Sequence, residues 1–179
     1  LEYVDLYLIH WPTPGRDLYV ETWKEFEKLK SDGLARSIGV SNFRIEDLER
    51  LKQETDTVPA VNQIELHPYF QQQGLREYAD ANSIQIESWS PIGGSRGNLL
   101  SNDALKRIGD AHGKTPAQVV IRWHIQHGLI VIPKSVHAER IQENFDVFDF
   151  ELSQDEMRMI DALNTDTRVG PDPGAMNNH

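Results

Sequence analysis

The amino-acid sequence predicts an α/β fold built on a parallel sheet, and two observations lead to this prediction. Short apolar runs alternate with amphipathic helical segments along the chain, which is the pattern of repeated strand–helix units. Most of the apolar runs are continuous rather than alternating, as in strands that are covered on both faces. The predicted strands are Val4–Ile9, Ala35–Val40, Ala60–Ile64, Ile84–Ser88 and Leu129–Ile132.

The helical segments carry their own boundary signals. Two of them begin with capping boxes, TPAQ at Thr115–Gln118 and SQDE at Ser153–Glu156. Gly33 and Gly128 stand where helix C-caps are expected. The end of the chain, from Thr165, is interpreted as a surface segment or a frayed end. The predicted helices are Val20–Ser31, Ile45–Glu54, Gly74–Asn82, Asn102–His112, Pro116–Gln126, Ala138–Phe145 and Gln154–Leu163.

Composition and charge exclude several classes of function. The formal net charge of −10 argues against nucleic acid or an anionic membrane as the main partner. Cysteine is absent, which excludes disulfides and thiol chemistry and permits a reducing, cytoplasmic location. No apolar run approaches the roughly 18 residues of a membrane span. A soluble cytoplasmic protein is therefore expected.

Polar residues follow each predicted strand, and this placement favours a (β/α)8 barrel over a doubly wound sheet. Barrel enzymes build their sites at the carboxyl ends of the strands. A Rossmann domain needs G-x-G-x-x-G after a strand, but the glycine-rich turn Pro91–Gly97 has Ile92 at the first glycine position. A closed barrel has eight strands, so the predicted strands supply only part of one. The polar sets are His10, Ser41–Phe43, Gln63–Tyr69, Trp89–Gly94 and Pro133–Ser135.

The segment IPKSVHAERIQENF has the composition of an anion site. Lys134 and Ser135 precede a predicted helix whose free N–H groups favour an anion. Arg140, Glu143 and Asn144 are spaced i, i+3 and i+4, so they share one helical face. Together these groups could hold a phosphorylated nucleotide. The spacing leaves an alternative open, a solvated helix face with an Arg140–Glu143 or Arg140–Asn144 contact.

Other polar residues also have structural explanations. Ser41 and Asn42 could cap the helix that follows them. Gln63 could be a satisfied polar group at the barrel rim, and Trp89 could be a core residue. His10 shares strand parity with apolar residues, which predicts a buried, hydrogen-bonded histidine.

Two histidines invite a metal interpretation that the sequence does not support. His124 and His127 lie one helical turn apart, a spacing that suits two metal ligands. No third ligand is evident nearby. No metal site is therefore predicted.

Six motifs occur in a fixed order, and as a set they are more specific than any one residue. They are VDLYLIHWP, RSIGVSNF, VNQIELHPY, SWSPIG, KTPAQVVIRW and IPKSV…ERIQENFDVFDFEL. This string resembles the aldo-keto reductase superfamily, and the resemblance covers essentially the whole chain. Within that superfamily, IESWSPIG and the short C-terminal tail resemble the bacterial 2,5-diketo-D-gluconate reductase type.

The resemblance implies a (β/α)8 barrel that binds NADPH across its carboxyl-end face. Residues 1–164 would be the C-terminal portion of that single barrel, about five βα units, and residues 165–179 its tail. In this family a histidine at the position of His10 orients the substrate carbonyl, and an aromatic residue at Trp89 stacks on the nicotinamide. Trp11 and the tail after Asn164 are expected to line the substrate pocket. Contacts to the nicotinamide carboxamide are implied for Ser41, Asn42 and Gln63.

The resemblance also assigns the adenosine end of the cofactor. Lys134, Ser135 and Arg140 match the group that grips the 2′-phosphate. His137 stands where relatives often carry a hydroxyl or arginine, and a histidine is only partly charged near neutral pH. NADPH is therefore favoured, and NADH use is possible. Contacts to adenine are implied for Glu143 and Asn144, and contacts to the pyrophosphate for Ser90, Ile92 and the loop to about Leu100.

The implied activity is reduction of a carbonyl, such as an aldehyde, ketone or keto sugar acid, by hydride transfer to its carbon. The tyrosine, lysine and aspartate that complete the family's catalytic tetrad lie upstream of LIHWP and are not in this sequence. Roughly three further βα units of about 30 residues or more each are therefore expected before residue 1. The chain alone is expected to be inactive, and the full-length protein to be a monomer.

Two other interpretations stay open. One is a non-catalytic NADP(H)-binding or regulatory module of the same superfamily. The other is an unrelated barrel enzyme acting on a phosphorylated sugar, which shares the Lys134–Ser135 turn but does not explain SNF and NQIELHPY together.

Overall fold

A computed structural model describes residues 2–94 and 98–176 of the chain. Within these residues strands and helices alternate as predicted. The strands are β1 (Val4–Ile9), β2 (Ala35–Ser41), β3 (Val61–Glu65), β4 (Gln85–Trp89) and β5 (Ile130–Val131). The helices are α1 (Tyr19–Ser31), α2 (Ile45–Glu54), α3 (Gln73–Ala81), α4 (Asp103–His112), α5 (Pro116–Gln126), α6 (Ala138–Phe145) and α7 (Gln154–Asp161).

The strands form one sheet in chain order, from β1 to β5. The pairings β1–β2, β2–β3 and β4–β5 are parallel. In each pair the carboxyl ends of the two strands therefore lie side by side. Register partners include Ile9 with Val40, Ser41 with Gln63, and Ser88 with Val131.

Local capping chemistry sets several helix boundaries as predicted. The Thr115 side chain accepts the N–H of Gln118 at the start of α5, and the Ser153 side chain accepts the N–H of Glu156 at the start of α7. Gly33 adopts a φ of +74° just after α1, a conformation that glycine reaches without steric cost. These boundaries are predictable because each depends on residues close in sequence.

The described residues fall into two compact units. The first comprises residues within Leu1–Ile64, Gln73–Ile86 and Pro171–His179, and the second residues within Glu65–Gln72 and Glu87–Gly170. In the first unit the buried Trp23 donates its Nε1–H to the Thr57 carbonyl at 3.0 Å. In the second the buried Trp123 donates its Nε1–H to Asp161 Oδ1 at 2.8 Å. Each core thus satisfies its buried indole N–H.

The two outermost strands differ from the sequence prediction in the face coverage of β1 and in the length of β5. In β1, Leu6 and Tyr7 are 36% and 46% exposed, so this strand is not covered on both faces. Among the described residues β1 pairs only with β2, which leaves its other edge open. The strand β5 spans Ile130–Val131 rather than Leu129–Ile132, because it pairs with β4 at two positions only.

The structure of the tail contradicts one of the two interpretations that the sequence allowed. The main-chain N–H groups of Thr165 and Thr167 donate to the Tyr69 carbonyl at 3.2 and 3.1 Å. The described tail residues near Tyr69 are therefore anchored, and the frayed-end interpretation is wrong for them. Separately, no helix within residues 2–94 and 98–176 has the length and apolar character needed to cross a membrane.

Candidate functional site

The first group of predicted site residues lies in the first unit, at the carboxyl ends of β1 and β2 and at Gln63, which pairs with Ser41 from within β3. We call His10, Ser41, Asn42 and Gln63 the strand-end cluster. Ser41 Oγ donates to the Gln63 carbonyl at 2.8 Å. Asn42 Nδ2 donates to the His10 carbonyl and to Ser41 Oγ, both at 3.0 Å. The parallel sheet therefore brings these residues together as predicted.

Ser41 and Asn42 do not cap the following helix, so that alternative is wrong. Helix α2 begins at Ile45, and its N-cap is Arg44, whose main-chain N–H donates to Asp47 Oδ2 at 3.1 Å. Asn42 instead adopts a φ of +64°, a left-handed conformation that asparagine tolerates better than most residues. This turn directs the chain from β2 into α2 and leaves both residues in the strand-end cluster.

His10 is exposed in the described structure, so the prediction of a buried histidine is wrong. Strand parity predicts burial only for a strand that is covered on that face, and Leu6, on the same face of β1 as His10, is 36% exposed. The neighbouring Trp11 is partly buried, and its ring centroid lies 5.9 Å from that of His10. The imidazole and the indole therefore form one adjacent pair at the end of β1.

Asn62 is a positioning residue that the sequence analysis missed. It is fully buried, its Nδ2 donates to the Phe43 carbonyl at 2.9 Å, and its Oδ1 accepts the Phe43 N–H at 3.4 Å. This pair of bonds ties the SNF loop to β3. A polar pair, NQ, inside an otherwise buried strand is the signal that could have identified it.

In the second unit, Trp89 ends β4 and is partly rather than fully buried, so it is not a simple core residue. Its carbonyl accepts the N–H of Leu66 at 3.4 Å. Ser90 follows with a φ of +50°, and its carbonyl accepts the N–H of Gly93 at 2.9 Å. The predicted pyrophosphate loop includes residues 95–97, which lie outside the described residues.

A cavity of about 450 Å³ lies beside α6, also within the second unit. We call it the α6 pocket. It brings together all six residues predicted for the adenosine end of the cofactor, and Ile92 from the predicted pyrophosphate group. Its lining consists of Ile92, Leu100, Thr115, Pro116, Ala117, Lys134, Ser135, Val136, His137, Arg140, Glu143 and Asn144.

The α6 pocket has unneutralised positive charge. Lys134 and Arg140 are exposed, and neither forms an ion pair within the described part of the chain. The alternative contact between Arg140 and Glu143 is therefore not formed. Glu143 instead accepts a hydrogen bond from Thr115 Oγ1 at 2.6 Å. The acid is thus held by a hydroxyl while the two cations remain available to an anion.

The helix terminus strengthens this preference for an anion. His137 is the N-cap of α6, and no side chain caps the helix there. Ser135 Oγ accepts the His137 N–H at 3.1 Å, which fixes the hydroxyl at the helix entry. Free N–H groups at a helix N-terminus favour phosphate and other anions. The α6 pocket can therefore bind a phosphorylated ligand by charge and by hydrogen bonds.

The two helical histidines do not form a metal site. His124 is fully buried, with its ring nitrogens 2.8 Å from the Val120 carbonyl and 3.2 Å from the Leu66 carbonyl. His127 Nε2 lies 2.9 Å from Asp161 Oδ1. Across the described residues no cluster of histidine, aspartate and glutamate could hold a metal ion.

Comparison with known proteins identifies the family. The chain matches the aldo/keto reductase family over residues 1–165. It is 53% identical over 173 residues to glyoxal reductase of Bacillus subtilis, covering 97% of this chain and 61% of that protein. It is 51% identical over 173 residues to methylglyoxal reductase DkgA of Escherichia coli K12, covering 97% and 63%. This chain belongs to the aldo/keto reductase family.

Solved structures support the same assignment. A crystal structure of a Gox0644 mutant in complex with NADPH has a TM-score of 0.94 at 53% identity, covering 97% of this chain and 64% of that one. An aldo-keto reductase from a deep-sea metagenome has a TM-score of 0.94 at 39% identity, covering 98% and 65%. The chain thus spans somewhat less than two thirds of the length of these proteins. The prediction of about five βα units of a (β/α)8 barrel is confirmed.

Proposed function

We propose that this chain carries the cofactor-binding part of an NADPH-dependent carbonyl reductase. The observation that carries the proposal is the α6 pocket, where Lys134 and Arg140 face a cavity of about 450 Å³ without carboxylate partners among the described residues. In a chain of net charge −10, two cations lining one cavity make that cavity locally favourable for an anionic ligand.

The chemistry of the pocket fits the adenosine end of NADPH. A 2′-phosphate carries negative charge that Lys134, Arg140 and the Ser135 hydroxyl can bind. Glu143 and Asn144 line the same pocket, and we assign them to the adenine. His137 lines the pocket as well and adds charge only when it is protonated. Under this proposal NADPH binds more tightly than NADH.

The strand-end cluster fits the nicotinamide end. Its amides and hydroxyl are the groups that can hydrogen-bond a carboxamide, which we assign to Ser41, Asn42 and Gln63. Trp89 offers a ring for stacking on the nicotinamide, and Ser90 and Ile92 continue into the pyrophosphate segment. His10 and Trp11 are assigned to the substrate, with His10 holding the carbonyl oxygen.

The reaction is the reduction of an aldehyde, ketone or keto sugar acid to an alcohol. When bound, NADPH supplies the hydride. The residues of this chain bind the cofactor and orient the carbonyl, so we expect the isolated chain to bind without turnover. Turnover is assigned to the whole protein, as are a cytoplasmic location and a monomeric state. A substrate specificity of the 2,5-diketo-D-gluconate reductase type stays a prediction. Glyoxal and methylglyoxal are the alternative substrates.

Calorimetric titration with NADPH and NADH tests the cofactor proposal. We expect NADPH to bind at least about tenfold more tightly, and Lys134→Ala or Arg140→Ala to remove most of that difference, since a charge-assisted contact contributes about 1.5–3 kcal/mol. Lys106→Ala is the matched control, because Lys106 is an exposed helical cation already paired with Asp103. Equal dissociation constants for the two cofactors would overturn the phosphate preference.

Steady-state assay of the whole protein with methylglyoxal and with a diketo sugar acid tests the reductase proposal. Consumption of NADPH with either carbonyl supports it. Tight binding without turnover on any carbonyl would instead identify a non-catalytic NADP(H)-binding module.

A further inference from the structure

Glu65, the last residue of β3, holds the C-terminal tail by its carboxylate. Its side chain is fully buried. Its Oε1 accepts the main-chain N–H of Val169 at 2.6 Å, and its Oε2 accepts that of Gly170 at 2.9 Å. A buried carboxylate is costly unless its oxygens are satisfied, so these two bonds fix the tail to the sheet. All of these residues belong to the second unit.

Four further contacts surround Glu65 and the adjoining tail. His67 Nε2 lies 3.1 Å from Glu65 Oε1, and Gln72 Nε2 donates to the Glu65 carbonyl at 2.5 Å. The Arg168 guanidinium lies 3.6 Å from Glu65 Oε2 and 4.4 Å from the centre of the Phe70 ring. Residues 168–170 are therefore fixed from both the main chain and the side chains.

The fixed tail lies directly against Trp89. A Cβ atom placed on Gly170 would lie 2.4 Å from Cη2 of Trp89 and 2.8 Å from Glu65 Oε2. Real Cβ atoms do not approach other heavy atoms this closely. Gly170 does not have a positive φ, so space rather than backbone conformation requires glycine here. The backbone at Gly170 therefore packs against the outer edge of the Trp89 indole.

We propose that Glu65 and Gly170 are positioning residues that set the orientation of the Trp89 ring. The carboxylate fixes the tail, and the tail supports the indole from one side. The functional part of this inference rests on the proposed role of Trp89 as the ring that stacks on the nicotinamide. Cofactor affinity is then coupled to a tail contact more than 100 residues from Glu65 in sequence.

Nuclear magnetic resonance of the indole N–H groups tests the proposal directly. The chain has four tryptophans, and a Trp89→Phe variant identifies the Trp89 signal. We expect Gly170→Ala and Glu65→Gln to shift the Trp89 signal while those of Trp23 and Trp123 stay in place. Glu65→Gln keeps the side-chain shape but turns its amide N–H toward a main-chain donor. Gly74→Ala is the control, since a Cβ there meets no atom within 4 Å.

The same variants are then titrated with NADPH. We expect the dissociation constant to rise at least about fivefold in Gly170→Ala and to stay unchanged in Gly74→Ala. A Trp89 signal that does not move in Gly170→Ala overturns the proposal, and so does movement of all four indole signals, which would indicate general loss of packing. If wild type does not bind NADPH, the proposed function fails, while a selective Trp89 shift still supports the positioning of the ring. If Glu65→Gln does not fold, the Trp89 signal and the NADPH affinity of Gly170→Ala alone test the proposal.

Discussion

Asn42 donates a hydrogen bond from its Nδ2 to the main-chain carbonyl of His10 at 3.0 Å. The bond joins the residue after β2 to the residue after β1, so it links two neighbouring parts of the strand-end cluster. Asn42 makes this contact at a φ of +64°. The side-chain amide of Asn42 and its left-handed backbone conformation therefore both contribute to this link between β1 and β2.

Replacement of Asn42 separates these two contributions. We expect Asn42→Ala to lower the free energy of unfolding by about 2 kcal/mol, because it removes the hydrogen bonds and also strains a left-handed backbone. Asn42→Gly loses the same bonds without that strain, so its loss should be smaller by roughly 1 kcal/mol. Urea unfolding monitored by circular dichroism measures both. Equal losses would show that backbone conformation contributes nothing here.

Asn62 should be more costly to replace than a typical asparagine. Asn62→Ala leaves the buried N–H and carbonyl of Phe43 without partners, and we expect a loss of about 2–3 kcal/mol. Asn82 is the comparison, because it also bonds a main-chain carbonyl, that of Tyr78 at 2.8 Å, but is partly exposed. Asn82→Ala should cost less than about 1 kcal/mol. The prediction fails if the two variants unfold at the same urea concentration.

The buried His124 predicts a loss of stability on mild acidification. Burial lowers the pKa of His124 to about 4, despite its hydrogen bonds to the Val120 and Leu66 carbonyls. Between pH 6.5 and about 4 the unfolded chain binds a proton that the folded chain does not, so the free energy of unfolding falls as the pH falls. The full effect is roughly 3 kcal/mol at 1.36 kcal/mol per pH unit.

Unfolding curves from pH 7 to pH 4 measure this dependence, and His124→Gln provides the reference. Whatever its stability at pH 7, the variant lacks the titrating ring, so its stability should fall less steeply with pH over this range. Parallel curves for wild type and variant would contradict the prediction.

The capping box of α7 should contribute measurably to stability. Ser153 Oγ accepts the Glu156 N–H, and Glu156 Oε2 accepts the Ser153 N–H at 2.7 Å. We expect Ser153→Ala to cost about 1 kcal/mol. Ser31→Ala, on the exposed surface of α1, should change stability by less than about 0.5 kcal/mol. Thermal unfolding of the two variants side by side decides whether the cap matters.

The sequence predicts features that depend on near neighbours. Thr115 and Ser153 begin their helices as expected because a cap involves residues only three apart. The α6 pocket is also predictable, since Lys134, Ser135 and Arg140 lie on one short segment. The Lys134 ammonium, the Ser135 hydroxyl and the N-terminus of α6 are already close together along the chain.

Features that depend on distant partners were missed. Asn62 contacts Phe43, 19 residues away, and Glu65 contacts Val169, 104 residues away. Neither pairing leaves a periodic signal in the sequence. His10 was expected to be buried because strand parity describes which face a side chain occupies, but it does not describe whether anything covers that face.

Helix α6 buries none of its residues. It is held beside the pocket at Glu143, whose carboxylate accepts a hydrogen bond from the Thr115 hydroxyl and whose carbonyl accepts one from Gln118 Nε2 at 3.2 Å. A helix with so little buried contact opens by local unfolding more readily than the core, and any ligand that binds its closed form slows that opening. The hydrogen-exchange rate of the main-chain amides of α6 should therefore report whether the α6 pocket is occupied. Their deuterium uptake, followed by mass spectrometry of the corresponding peptide, would register a bound nucleotide even in a preparation that turns over no substrate.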